Sequence, residues 1–121
     1  MLPIKPKRII LIWDKFDFRK HMNGLLGEAY KRFLNPYEGD CLVFIHKRGN
    51  QIRCILGDEY GLYEISRRFE GGSLSIKSIF NSNKSTITQS ELGMLLEGKN
   101  FMVTKQLKRW VPTHLTPGSS Q

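Results

Sequence analysis

The side chains of this sequence best placed to do chemistry are cations that recur in short pairs. Arg19-Lys20 follow Asp17, Lys47-Arg48 stand before Gly49-Asn50 with Arg53 just beyond, Arg67-Arg68 precede Phe69, and Lys105, Lys108 and Arg109 lead to Trp110. Guanidinium and ammonium groups in such pairs are suited to neutralising phosphate oxygens, which positions a protein on nucleic acid without reading its bases. Bond-making chemistry would need other groups. Asp14, after the apolar run Ile9 to Trp13, has the place of the first carboxylate of a metal-dependent nuclease, which requires further acids converging on two ions. Asp58 and Glu59 read instead as turn residues, Glu64 as the solvent side of a strand and Glu97 as a helix end. His21, His46 and His114 have no Cys, Ser or carboxylate at an informative spacing. No catalytic residue, metal ligand or cofactor site is therefore expected.

Each cation also has a plainer reading. Arg19 and Lys20 in the first turn of a helix would oppose its macrodipole by about 0.3 to 1 kcal/mol, a cost that a phosphate bound at the helix start would reverse. Asp14 and Asp17 could equally neutralise them. Lys47, Arg48 and Arg53 would form a basic finger on a hairpin, or protect a sheet edge from aggregation. Arg67 and Arg68 point to opposite faces of one strand, and Arg68 is taken as the candidate. Lys31 and Arg32 read as a solvated helix face, with Glu28 able to pair with Arg32 at i, i+4. Trp110 either stacks on a base or anchors the chain to the core. The nucleic-acid candidates are thus Arg19, Lys20, Lys47, Arg48, Arg53, Arg68, Lys105, Lys108 and Arg109, in backbone contact, since no helix-turn-helix or zinc-ligand spacing is present.

The elements that would carry them follow from the apolar pattern. Ile9 to Trp13 predicts a short strand buried on both faces, inside a sheet. Asp17 then caps a helix reaching Leu34, with Met22, Leu25, Leu26, Ala29, Tyr30, Phe33 and Leu34 on one face. Gly24 and Gly27 within it suggest a close backbone approach. From Cys41 to Ile76 the period shortens to that of a meander. Gly49-Asn50 reads as a two-residue hairpin turn that sets Ile45 opposite Cys54 and keeps Cys41 and Cys54 too far apart for a disulfide. Asp58 to Gly61 makes the next turn, Tyr63, Ile65 and Phe69 face the core, and Ser73 to Lys77 forms a fourth antiparallel strand. Thr88 and Glu91 spell a capping box for a helix ending near Gly98, with Ile87 and Leu92 at the staple positions. The order predicts one α+β domain, an antiparallel meander packed against two helices.

Charge divides the chain further. Lys5, Lys7 and Arg8 near the start, and Lys99, Lys105, Lys108 and Arg109 near the end, lie in stretches without acids. Removing those seven from 19 basic residues leaves 12 against 11 acids, so the net charge of +8 belongs to the two ends. The expected division is a basic arm over 1–8, an α+β domain over 9–101 and a basic, partly disordered tail over 102–121. A polyanion is the natural partner of such ends. No apolar run approaches the roughly 20 residues that cross a bilayer, and no signal-peptide core is present, so a cytoplasmic protein without a membrane partner is expected.

Four stretches taken together resemble one known family. They are Asp17-Phe18-Arg19-Lys20 with Gly24-Leu25; Phe44, Lys47-Arg48, Ile52-Arg53, Leu56, Asp58 and Gly61; Arg67-Arg68-Phe69-Glu70 with Gly72; and Thr88 to Gly98. Over roughly residues 10 to 101 this series is similar to the TnpB accessory proteins of the bacterial insertion-sequence family numbered sixty-six, which are unrelated to the RNA-guided nuclease of the same name. His21 stands where that pattern has Gly, and Gly57 where it has an aromatic. The resemblance implies a non-catalytic accessory factor in transposition, encoded beside a separate transposase that performs strand transfer. Its partners would be DNA, at element ends or as non-specific duplex, and the transposase, with nucleoid association when bound. The alternative is a protein-only adaptor of the transposase; an RNA-binding sheet is disfavoured because the strands show no aromatic pair for stacking bases. Oligomeric state is not readable from the sequence.

Overall fold

A computed structural model describes residues 2–12, 19–75, 79 and 85–98. Five strands form one mixed sheet: β1 (Arg8–Ile12), β2 (Asp40–Ile45), β3 (Gln51–Asp58), β4 (Gly61–Arg68) and β5 (Thr86–Ile87), in the spatial order β4-β3-β2-β1-β5. β2, β3 and β4 are an antiparallel meander, β5 is antiparallel to β1, and β1 runs parallel to β2. The parallel pair follows from helix α1 (Met22–Tyr30), which lies between the two strands in the chain and returns it to the starting end of the sheet. The predicted α+β class and the interior place of β1 both hold. The two-residue β5 was not expected, and the described part of Ser73 to Lys77, residues 73–75, is not a strand. Leu74 is instead buried as a loop residue, its N–H donating to the Gly49 carbonyl at 2.7 Å.

Side-chain alternation gives each sheet face its own core. Ile12, Leu42, Phe44 and Ile55 meet Leu25, Leu26, Ala29 and Leu34 from α1 and the chain after it. Ile9, Leu11, Cys41, Val43, Ile45, Ile52, Cys54 and Leu56 meet Leu74, Ile79 and the Leu92 and Leu95 side chains of helix α2 (Gln89–Leu96). The two helices therefore cover opposite faces, which explains why β2 is buried at every position. Burying a Leu or Phe side chain is worth about 1.5 to 3 kcal/mol, so these residues carry the fold and the surface cations do not. The α2 start is as the sequence spells it: Glu91 N–H donates to the Thr88 hydroxyl at 3.1 Å and Thr88 N–H to the Glu91 carboxylate at 2.9 Å.

Helix α1 is shorter than the apolar pattern suggested. It starts at Met22 after His21, whose side chain makes no cap, and stops at Tyr30; Asp17, the expected cap, lies outside the described residues. Leu34 N–H closes back on the Ala29 carbonyl at 3.0 Å while Phe33 adopts a left-handed φ of 58°. That reversal returns Leu34 to the core and turns Phe33 outward to 93% exposure, against the expectation that it faces inward. Gly24 has only the Lys20 side chain near its missing Cβ and Gly27 has open space, so no close backbone approach explains either. Gly57 is different, because a Cβ there would stand 2.2 Å from the Gly61 carbonyl oxygen.

Candidate nucleic-acid interface

The turn between β2 and β3 is wider than Gly49-Asn50 alone. Ile45 pairs with Ile52 and Val43 with Cys54, a shift of two residues from the expected register, which keeps every side chain on its predicted face. His46 N–H donates to the Gln51 carbonyl at 2.9 Å, and Lys47 to Asn50 form the tip. Gly49 N–H turns back to the His46 carbonyl at 2.7 Å with φ 72°, and a Cβ on Gly49 would lie 2.1 Å from the Leu74 carbonyl oxygen. Glycine is thus demanded twice, by the left-handed backbone and by the chain packed over it. Phe69 N–H donating to the Asn50 carbonyl at 2.8 Å clamps the tip from the other side. Lys47 and Arg48 project from this fixed turn and are exposed.

Beneath the tip lies His46, whose Nδ1 accepts the Arg48 N–H at 3.1 Å. Burial, then the charges of Arg48 and Lys47, hold its imidazole below the ordinary histidine range. It therefore senses the positive potential of the turn.

Arg53 is placed differently from the basic finger expected of it. Its Nε and Nη2 donate to Glu64 at 2.6 and 3.0 Å, and its Nη1 donates to the Lys20 carbonyl at 2.6 Å. With 11% of the side chain exposed, it ties the segment before α1 to β3 and β4. Glu64 is held below the usual carboxylate range, first by the Arg53 hydrogen bonds, against the opposing effect of burial. Glu64 is exposed, as strand alternation predicts, but its pairing with Arg53 was not legible, because the register that sets Ser66 opposite Arg53 and Glu64 beside it is not visible locally.

Arg19 and Lys20 precede the helix, so the macrodipole cost argued from a first-turn position does not apply. Lys20 Nζ reaches Glu28 at 2.9 Å, where Arg32 at 3.2 Å and Lys31 at 3.7 Å also converge. The Lys20 and Arg32 hydrogen bonds bring the Glu28 carboxyl down to about 2. The i, i+4 pair was legible; the contribution of Lys20 from eight residues away was not. Arg68, opposite Gln51 at the same end of the sheet, is exposed and bonds Glu70 at 2.9 Å. Arg67 turns to the other face, as alternation requires, and there lies 5.2 Å over the Phe69 ring and donates to the Leu96 carbonyl. Lys105, Lys108 and Arg109 lie outside the described residues.

Arg19, Lys20, Lys47, Arg48 and Arg68 are thereby gathered at one end of the sheet, where β2 turns into β3 and α1 begins, with Arg53 behind them. The opposite end carries Asp40, whose burial would raise its carboxyl but whose bonds from Arg8 at 2.6 Å and Asn35 N–H at 2.8 Å lower it overall. Phe33, Tyr37 and the 90% exposed Tyr60 are at that end too, since the turn Pro36–Glu38 abuts β2, β3 and β4 there and Tyr60 caps the β3–β4 hairpin. Phe33 and Tyr60, the two most exposed rings among the described residues, therefore lie away from the basic turn. Among the described residues no group of three His, Cys, Asp or Glu side chains could hold a metal ion, and no helix is long and apolar enough to cross a membrane. Cys41 and Cys54 are free and buried, and burial raises both thiols, that of Cys41 to about 12.

A small α+β domain with a clamped basic turn defines the class. The chain matches the family described as IS66 Orf2 like protein over residues 7–106, and it belongs to that family. Membership gives it an accessory role in the transposition of an insertion sequence. It is also similar to the uncharacterized protein y4jC of Sinorhizobium fredii (strain NBRC 101917 / NGR234), at 29% identity over 105 residues, 86% of this chain and 89% of that one. No solved structure matches it.

Proposed function

We propose that this protein is a non-catalytic DNA-binding factor that grips the phosphate backbone of duplex DNA through the basic end of its sheet and acts beside the transposase. One observation carries this reading. Arg8, Lys20, Arg32, Arg53 and Arg68 each meet a carboxylate, whereas among the described residues Lys47 and Arg48 meet none, although the turn that holds them is fixed from both sides. Preorganised, unneutralised cations are suited to phosphate oxygens, and among the described residues no base-reading element accompanies them. Arg19, Lys20 and Arg68 extend the contact, and the arm over 1–8 and Lys105, Lys108 and Arg109 in the tail over 102–121 add charge that follows the duplex. The site works in the cytoplasm, on nucleoid DNA, with no cofactor.

Fluorescence anisotropy on a labelled duplex across a salt series tests the proposal. Removing one phosphate-binding cation should reduce the slope of log affinity against log salt by about 0.9, so Lys47→Ala/Arg48→Ala should lower it by about 1.8 with stability unchanged. Absence of duplex binding at low salt would overturn the reading and leave the protein-only adaptor of the transposase. That second reading is favoured by one feature, the exposed Phe33, Tyr37 and Tyr60 at the far end, which suit a protein surface better than a phosphate backbone.

A further inference from the structure

The two edges of the sheet are unequal. β5 offers two residues, while β4 runs for eight, with Tyr63, Glu64, Ser66, Arg67 and Arg68 exposed, no proline, and no strand among the described residues paired along its outer side. Because Phe69 N–H bonds Asn50 on the β3 side, the odd-numbered residues of β4 turn their backbone groups inward, and Leu62, Glu64, Ser66 and Arg68 turn theirs outward. A long edge with a free row of donors and acceptors pairs with another strand unless something prevents it.

The side chains select which strand. In an antiparallel pairing of β4 with β4 of a second copy, an axis at Glu64, Arg67 or Arg68 places like charges opposite one another, and an axis at Ile65 brings no acid of β4 opposite a base. An axis at Ser66 alone places Glu64 opposite the partner subunit's Arg68, twice by symmetry. The same axis sets Tyr63 beside the partner subunit's Phe69 on the other face and brings the outward backbone groups of Ser66 and its copy together. We propose that the protein is a homodimer in which two β4 edges pair antiparallel about Ser66, making one continuous ten-stranded sheet.

The two-fold axis stands perpendicular to the sheet, so both α1 helices lie on one side of the dimer. Ser66 pairs with Arg53, which bonds the Lys20 carbonyl, so the two Arg19-Lys20 segments flank the axis with both Arg68 side chains. That consequence for DNA rests on the proposed function; the dimer itself does not.

Light scattering coupled to gel filtration, without DNA, tests the dimer in the full chain. The wild type should elute with twice the mass of one chain. Ser66→Pro removes only an outward N–H, and Arg68→Glu sets acid against Glu64; both should give a folded monomer by circular dichroism. Ser66→Cys should form an intermolecular disulfide under mild oxidation, and Thr86→Cys, on the opposite edge, should not. A monomeric wild type, or a dimer that survives both Ser66→Pro and Arg68→Glu, would overturn the proposal. If Ser66→Pro fails to fold, the cysteine pair decides: cross-linking at 86 and not at 66 would overturn it.

Discussion

The two ends of the sheet use charge in opposite ways. At the end where β1 begins, Arg8 and the Asn35 N–H are engaged by Asp40, and the rings of Phe33, Tyr37 and Tyr60 are exposed among charged neighbours such as Glu38 and Glu59. At the end where β2 turns into β3, one arginine is tied inward and the others face outward. Arg53 gives its donors to Glu64 and to the Lys20 carbonyl, and this fixes the ground from which Lys47 and Arg48 project without a carboxylate partner among the described residues. A basic surface is thus built from two kinds of cation, and a buried tie such as Arg53 is not available to a ligand. Counting arginines in a sequence does not separate them.

The comparison can be broken most sharply at Arg53. Arg53→Ala removes the buried guanidinium that ties Glu64 and the Lys20 carbonyl together and should cost about 2 kcal/mol in urea unfolding, and Arg53→Lys should recover little because it lacks the two-pronged geometry. If Arg53→Ala left stability intact and removed only DNA affinity, Arg53 would belong with the outward cations.

Acid should act next. Glu28, Asp40 and Glu64 all titrate below their ordinary values, Glu28 at about 2. Carboxyls depressed in the folded state contribute stability that is complete above the ordinary carboxylate range and is lost as pH falls through the folded values. The urea midpoint should therefore be flat near neutrality and decline from the ordinary glutamate range down toward about pH 2, with Glu28→Gln removing part of the slope.

The smallest effect belongs to the far end. Tyr60→Ala and Phe33→Ser remove exposed rings and should change stability by no more than about 0.5 kcal/mol while leaving duplex affinity unaltered. A fall in affinity would place DNA on the aromatic end.

How far the sequence carries depends on the range of the interaction. The capping box at Thr88, the interior strand read from Ile9 to Trp13 and found over Arg8–Ile12, the Asp58 to Gly61 turn and the Glu28 to Arg32 pair were readable because each is decided within a few residues. The direction of β1 against β2, the early stop of α1 with Phe33 turned outward, and Leu74 folded over Gly49 were not, since each is settled by chain distant in sequence. Of the candidate residues, Lys47 and Arg48 are marked in the sequence by residue type beside a turn signal. For Arg53 the same residue type fits a basic finger and a buried tie, and only the strand register distinguishes them.

The most direct measurement is an amide NMR titration of the labelled protein with duplex DNA at low salt. The account predicts that, within the folded domain, shifts centre on residues 46–50, Arg19, Lys20 and Arg68, and that the titration point of His46 rises as phosphate offsets the charges of Arg48 and Lys47, which add to burial in depressing it. Shifts centred on Tyr37 and Tyr60, or a duplex that leaves His46 unchanged, would contradict it.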